Sequence, residues 1–124
     1  MSKHLLAIIE MGGYPNLMPL YQRMGFETTV VHSQRQARRH IKKHPPDIIV
    51  AEYNLQSDFR DRSSNLETLM AILQKLTDTR LLVFYMPEFE QKFIEFRQLH
   101  SVDCALPLPV NEDRVEEALE TLEC

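Results

Sequence analysis

Short apolar runs alternate with longer amphipathic segments along this chain. The runs occupy residues 5–9, 28–31, 48–51, 81–84 and 102–106. They are short and most are rich in Val, Ile or Leu, as expected of strands covered on both faces. Asp103 and Cys104 interrupt the last one. Between the runs, apolar residues recur at helical spacing. Over 15–24, Leu17, Leu20, Tyr21 and Met24 share a face, and Gly25 follows where a helix cap is expected. Over 33–43, Ser33 suits an N-cap, Ala37 and Ile41 form a narrow stripe, and Pro45 and Pro46 stop the helix. Over 65–76, Leu66, Leu69, Met70, Leu73 and Leu76 make the clearest helical pattern. Over 88–99, Phe89, Phe93, Phe96 and Leu99 form a core-facing stripe, and over 112–122 so do Val115, Ala118, Leu119 and Leu122.

Strict strand–helix alternation predicts an α/β fold, a parallel sheet with helices on both faces. With 124 residues, the natural solution is a doubly wound five-stranded sheet of order 2-1-3-4-5, a flavodoxin-like three-layer sandwich. A barrel needs eight such units. The whole chain, 1–124, reads as a single domain, with no repeat or linker. The polar segment 56–64 reads as a long loop at the carboxyl end of the third strand, the edge where open α/β sheets meet ligands and partners.

Composition narrows the function classes. Hydrophobic residues at 44% and charged residues at 26% are ordinary for a folded domain. A net charge of −4 and a pI of 5.7 argue against a general nucleic-acid binder. Apolar runs fall far short of the ~20 residues a membrane span needs. The run at 5–9 is also too short for a secretion signal, so a cytoplasmic protein is expected. In that compartment Cys104 and Cys124 are expected as free thiols.

Few residues suggest chemistry. Glu10 closes the first strand and Glu52 follows the third, its neighbour in the sheet, so both carboxylates are placed at one crevice. They are weak candidates for a divalent cation, with two solvated acids as the plainer reading. Gly12-Gly13 suits a turn; neither a dinucleotide nor a P-loop fingerprint is present. His40 and His44 stand four apart without an evident third ligand. No nucleophilic triad is readable, and no enzyme activity is expected. Charge is polarised. Arg35, Arg38, Arg39, Lys42 and Lys43 crowd the second helix, with no acid between 32 and 46. The fifth helix and its tail carry Glu112, Asp113, Glu116, Glu117, Glu120 and Glu123 against Arg114. The basic helix is a candidate partner surface, for an acidic protein rather than nucleic acid, given the absence of interleaved aromatics. Opposite charges on two faces also suit head-to-tail self-association, although closed symmetric dimers are commoner.

The segment Pro46-Asp47-Ile48-Ile49-Val50-Ala51-Glu52-Tyr53-Asn54-Leu55 resembles the third-strand motif of response-regulator receiver domains, the CheY-like fold of two-component signal transduction. Val102-Asp103-Cys104-Ala105-Leu106-Pro107-Leu108-Pro109 resembles the end of that family's fifth strand, and segment order agrees over essentially the whole chain. The resemblance implies a phospho-accepting Asp where Glu52 stands, an acidic pair where only Glu10 remains, a hydroxyl residue at Tyr85, a Lys at Leu108 and a switch aromatic at Ala105. These departures remove the phosphoryl-pairing cation, one magnesium-binding acid and the groups that report phosphorylation. Glu52 is left as either a phosphate mimic or a structural residue. The expectation is an atypical receiver, or pseudo-receiver: a non-catalytic signalling and protein-interaction module with no cofactor and with magnesium disfavoured. The resemblance also implies a homodimer surface on the fourth helix, fifth strand and fifth helix. Two alternatives stay open, an active receiver with unusual metal and phosphate chemistry and a small flavodoxin-like ligand binder.

Overall fold

The architecture is that of a computed structural model, which describes residues 3–57 and 62–122. Five parallel strands, β1 (His4–Ile8), β2 (Glu27–Val31), β3 (Ile48–Tyr53), β6 (Arg80–Tyr85) and β7 (Cys104–Pro107), form a sheet of order β2-β1-β3-β6-β7. This is the expected 2-1-3-4-5 order once the short strands β4 (Leu55–Ser57) and β5 (Arg62–Ser64) are set aside. Those two pair antiparallel, Leu55 with Ser64 and Ser57 with Arg62. Residues 56–57 and 62–64 of the segment expected as a loop are therefore paired strands. A two-stranded ribbon needs no apolar run, so hydrophobic patterning did not reveal it; residues 58–61 lie outside the described part.

Side-chain alternation along each strand splits the core in two. Leu5, Ala7, Ile48, Val50, Leu82, Phe84, Cys104 and Leu106 pack with α1 (Met18–Arg23) and α5 (Glu112–Thr121). Leu6, Ile8, Ile49, Ala51, Leu81 and Val83 pack with α2 (Gln34–Lys43), α3 (Glu67–Leu73) and α4 (Glu90–Leu99). All residues of β3 are buried, since it is the central strand with helices on both sides.

The helices follow the periodicity, with corrections at their ends. Ser33 caps α2 by accepting a hydrogen bond from the Gln36 N–H at 3.1 Å, and Gly25 follows the last residue of α1's cap. The α1 helix begins at Met18 rather than 15, because Pro19, which has no N–H, belongs in the first turn. The α3 helix spans only Glu67–Leu73; Asn65 stays outside it, and 74–76 continue in tighter turns, with Leu76 N–H on Leu73 O at 3.0 Å. Leu99, expected in the core, is 80% exposed, because α4 ends there and its last stripe position overhangs solvent. Cys104 is fully buried and disulfide-bonded, not the free thiol expected; Cys124 lies outside the described residues. No described helix is long and apolar enough to cross a membrane.

Candidate functional site

The site forms where β1 and β3 end side by side. Glu52 lies within β3, not after it, and points to the same face as Ile48 and Val50. It is only 3% exposed. Burying a carboxylate costs several kcal/mol unless hydrogen-bond donors surround it. The loop after β1 supplies them. Gly12 and Gly13 take φ values of +69° and +84°, a conformation that other residues rarely adopt. This tight turn presents its backbone N–H groups inward as an anion nest. Glu52 Oε2 accepts from the Glu10 N–H at 3.2 Å and the Gly12 N–H at 3.3 Å, and Oε1 from the Met11 N–H at 2.8 Å. The Tyr14 hydroxyl donates to Oε2 at 2.7 Å. Burial, reinforced by this bond to Glu52, pushes the Tyr14 phenol far above its ordinary value, so it stays a donor throughout the neutral range. Its ring meets Phe84 edge to face, with centroids 5.3 Å apart.

Glu10 is engaged separately. Its Oε1 accepts from Gln34 Nε2 and from Asn65 Nδ2, each at 2.7 Å. Asn65 ties the two strand ends together. Its Nδ2 also donates to the Glu52 carbonyl at 2.7 Å, and its Oδ1 accepts from the Asn54 N–H at 2.7 Å. Asn65 and Tyr14 are residues that sequence reasoning missed. The helical pattern over 65–76 places Asn65 at a helix start, and Tyr14 directly follows the Gly12-Gly13 turn. The signal available was weak: a polar residue at the mouth of an apolar helix, and an aromatic directly after a glycine pair. The two acids thus do not share free oxygens across a crevice. Among the described residues no group of three or more His, Cys, Asp or Glu could hold a metal.

Beside Glu52 lies a cleft of about 340 Å³, walled by Met11, Tyr14, Phe84, Met86, Leu108 and Pro109. Among the described residues, Glu52 is the one charged residue lining it. Leu108 thus sets an alkyl group where the resemblance implies an ammonium. Tyr85 and Ala105 do not line this cleft; they pack on the opposite face of the sheet, where Tyr85 stacks on Phe93 with centroids 4.6 Å apart. Of the expected pocket positions, then, Glu52 and Leu108 meet, Glu10 adjoins them through Asn65, and Tyr85 and Ala105 do not. The basic residues Arg35, Arg38, Arg39, Lys42 and Lys43 lie on α2, outside the cleft.

This fold is that of receiver domains. The chain superposes on the chemotaxis response regulator CheY4 of Vibrio cholerae with a TM-score of 0.77 and 16% identity, covering 98% of this chain and 99% of that one. A response regulator receiver domain protein from Clostridium thermocellum gives 0.72 and 14%, covering 98% and 94%. NtrX from Brucella abortus gives 0.74 and 18%, covering 98% of this chain but 28% of that longer one. No family model matches the chain, nor does any curated protein sequence. At these identities the likeness is one of fold.

Proposed function

We propose that this chain is a receiver-fold signalling module that acts through protein contacts and not through phosphoryl transfer. One observation carries the reading: the carboxylate at the phospho-acceptor position already fills the nest, with four donors on its two oxygens. Donors that draw charge from both oxygens weaken them as nucleophiles. Among the described residues no cation lines the cleft to stabilise a phosphoryl group in transit. Magnesium does not fit this donor set, because both Glu52 oxygens and Glu10 Oε1 already accept hydrogen bonds and the described residues bring no third acid to them. Glu52 accordingly acts as a structural lock and not as a phosphate mimic. Its charge is answered by the β1–α1 loop, while Tyr85 is stacked on Phe93.

The cleft supports a second reading, a site for a small neutral ligand. It sits at the carboxyl edge of the sheet, its volume suits a small molecule, and its walls are mainly apolar. A two-dimensional amide NMR titration with magnesium, then with magnesium and beryllofluoride, tests the main reading. Unmoved Met11, Gly12 and Asn65 amides at millimolar ligand are expected. Shifts concentrated there would mean a live phosphate switch. An ultraviolet spectrum and native mass spectrum of freshly purified protein address the second reading through any copurifying molecule.

A further inference from the structure

The two most strongly charged helices carry the same pattern with opposite sign. On α2, Arg35, Arg38, Arg39 and Lys42 stand at i, i+3, i+4 and i+7, on the side opposite the buried Ala37 and Ile41. On α5, Asp113, Glu116, Glu117 and Glu120 repeat that spacing, opposite the buried Val115, Ala118 and Leu119. Like charges three and four residues apart repel along a helix. Each helix is also charged against its own dipole at one end. The first turn of α2 contains Arg35 and no acid, and the last turn of α5 contains Glu120 and no base. Folding does not require either arrangement.

Among the described residues no ion pair neutralises α2. None of its five cations makes an ion pair among the described residues; the pairs present are Arg23 with Glu112 and Glu116, Arg80 with Asp103, Lys92 with Glu95, and His100 with Glu67. Arg23 reaches Glu116 at 3.5 Å, which leaves Asp113, Glu117 and Glu120 exposed and unpaired on α5. The two helices cover opposite faces of the sheet, so they cannot meet in one molecule. They can meet between two.

We infer that the basic face of α2 docks on the acidic face of α5 of a second copy of this chain. Both helices have ten residues, so their charge rows match in length. Antiparallel docking also opposes the helix dipoles and sets Arg35 near Glu120 and Lys42 near Asp113 of the next copy. Such an interface is heterologous. It does not close after two molecules, so it extends into rings or filaments. Its charges sit at the surface, so it is weak and screened by salt. None of these residues lines the Glu52 cleft, so the inference stands apart from the phosphoryl question.

Sedimentation of the whole chain up to millimolar concentration, at about 50 mM and about 500 mM salt, tests it. At low salt the average mass rises continuously with concentration; at high salt it returns to the 14.6 kDa monomer. Arg38→Glu with Arg39→Glu, and separately Glu117→Lys with Glu120→Lys, each abolish the rise, and an equimolar mixture of the two variants forms a 1:1 pair and no more, through the one contact in which a native basic row meets a native acidic row. Circular dichroism checks that each is folded; Lys42→Glu with Lys43→Glu replaces the first pair if it is not. A monomeric parent at low salt overturns the inference, as does a mass that saturates at a dimer or a rise indifferent to salt or to these substitutions. A parent that stays monomeric but binds duplex DNA through α2 would make nucleic acid the occupant.

Discussion

Replacing Glu52 with Gln keeps the side chain's shape while removing its charge and turning one acceptor into a donor. Oε2 receives three of the four donors and Oε1 receives Met11 N–H alone. The amide oxygen will therefore take the Oε2 side and leave its NH₂ facing Met11 N–H. That orphaned donor costs about 1–3 kcal/mol. The other three bonds fall from charge-assisted, at about 1.5–3 kcal/mol, to neutral, at about 0.5–1.5, a loss of roughly 1 each. The gross cost is about 4–6 kcal/mol, and relief from burying a charge at this sheet edge offsets roughly half of it. A net loss of about 2–3 kcal/mol leaves a domain of ~5–15 kcal/mol stability folded but weakened. Urea unfolding followed by far-ultraviolet circular dichroism reads this directly, which suits a chain without Trp. With a urea slope of about 1–3 kcal/mol/M, the midpoint falls by roughly 0.7–3 M. Tyr14→Phe removes the 2.7 Å hydroxyl bond to the same oxygen, so the double variant loses about 1 kcal/mol less than the sum of the singles. A Gln variant as stable as the parent, or an additive cycle, would show that the nest does not hold this carboxylate.

Three further outcomes are expected. Desolvation, then the neighbouring His4 and His44, lowers the proton affinity of His40, so the unfolded chain binds more protons there than the folded one. Stability is thus full above the unfolded value of about 6.5 and falls as pH drops through it; urea midpoints from pH 8 to 5.5 check this, and His40→Gln flattens the slope. Asn65→Ala orphans the Asn54 N–H, removes the side-chain donor on the Glu52 carbonyl and leaves Glu10 Oε1 with Gln34 alone, costing about 2–4 kcal/mol, and amide exchange at Asn54 accelerates. Phe93→Ala, in the core between Tyr53 and Tyr85, costs about 3–5 kcal/mol, whereas Leu99→Ala stays within about 0.5 in the same urea titrations.

The site was only partly legible beforehand. Glu52, Glu10 and Leu108 were visible because a register of apolar runs and motif pieces placed them at strand ends. Asn65 and Tyr14 were not, because each acts through hydrogen bonds to groups 11 to 55 residues away in sequence. The pairing of β4 with β5 was hidden for a different reason: antiparallel backbone pairing carries no hydrophobic signature. Leu99 fitted a helical period that carried on to the end of α4, yet the core does not extend that far.

Strand–helix alternation, sheet order and the two buried faces follow from local patterning, because burial on both sides of β3 demands a continuous apolar run and each helix needs one apolar stripe. Local sequence also settled the Ser33 cap and the charge rows of α2 and α5. Tertiary structure alone decided that four hydrogen-bond donors surround the buried Glu52 carboxylate. They come from a separate loop and converge on its oxygens, and convergence in space has no period along the chain.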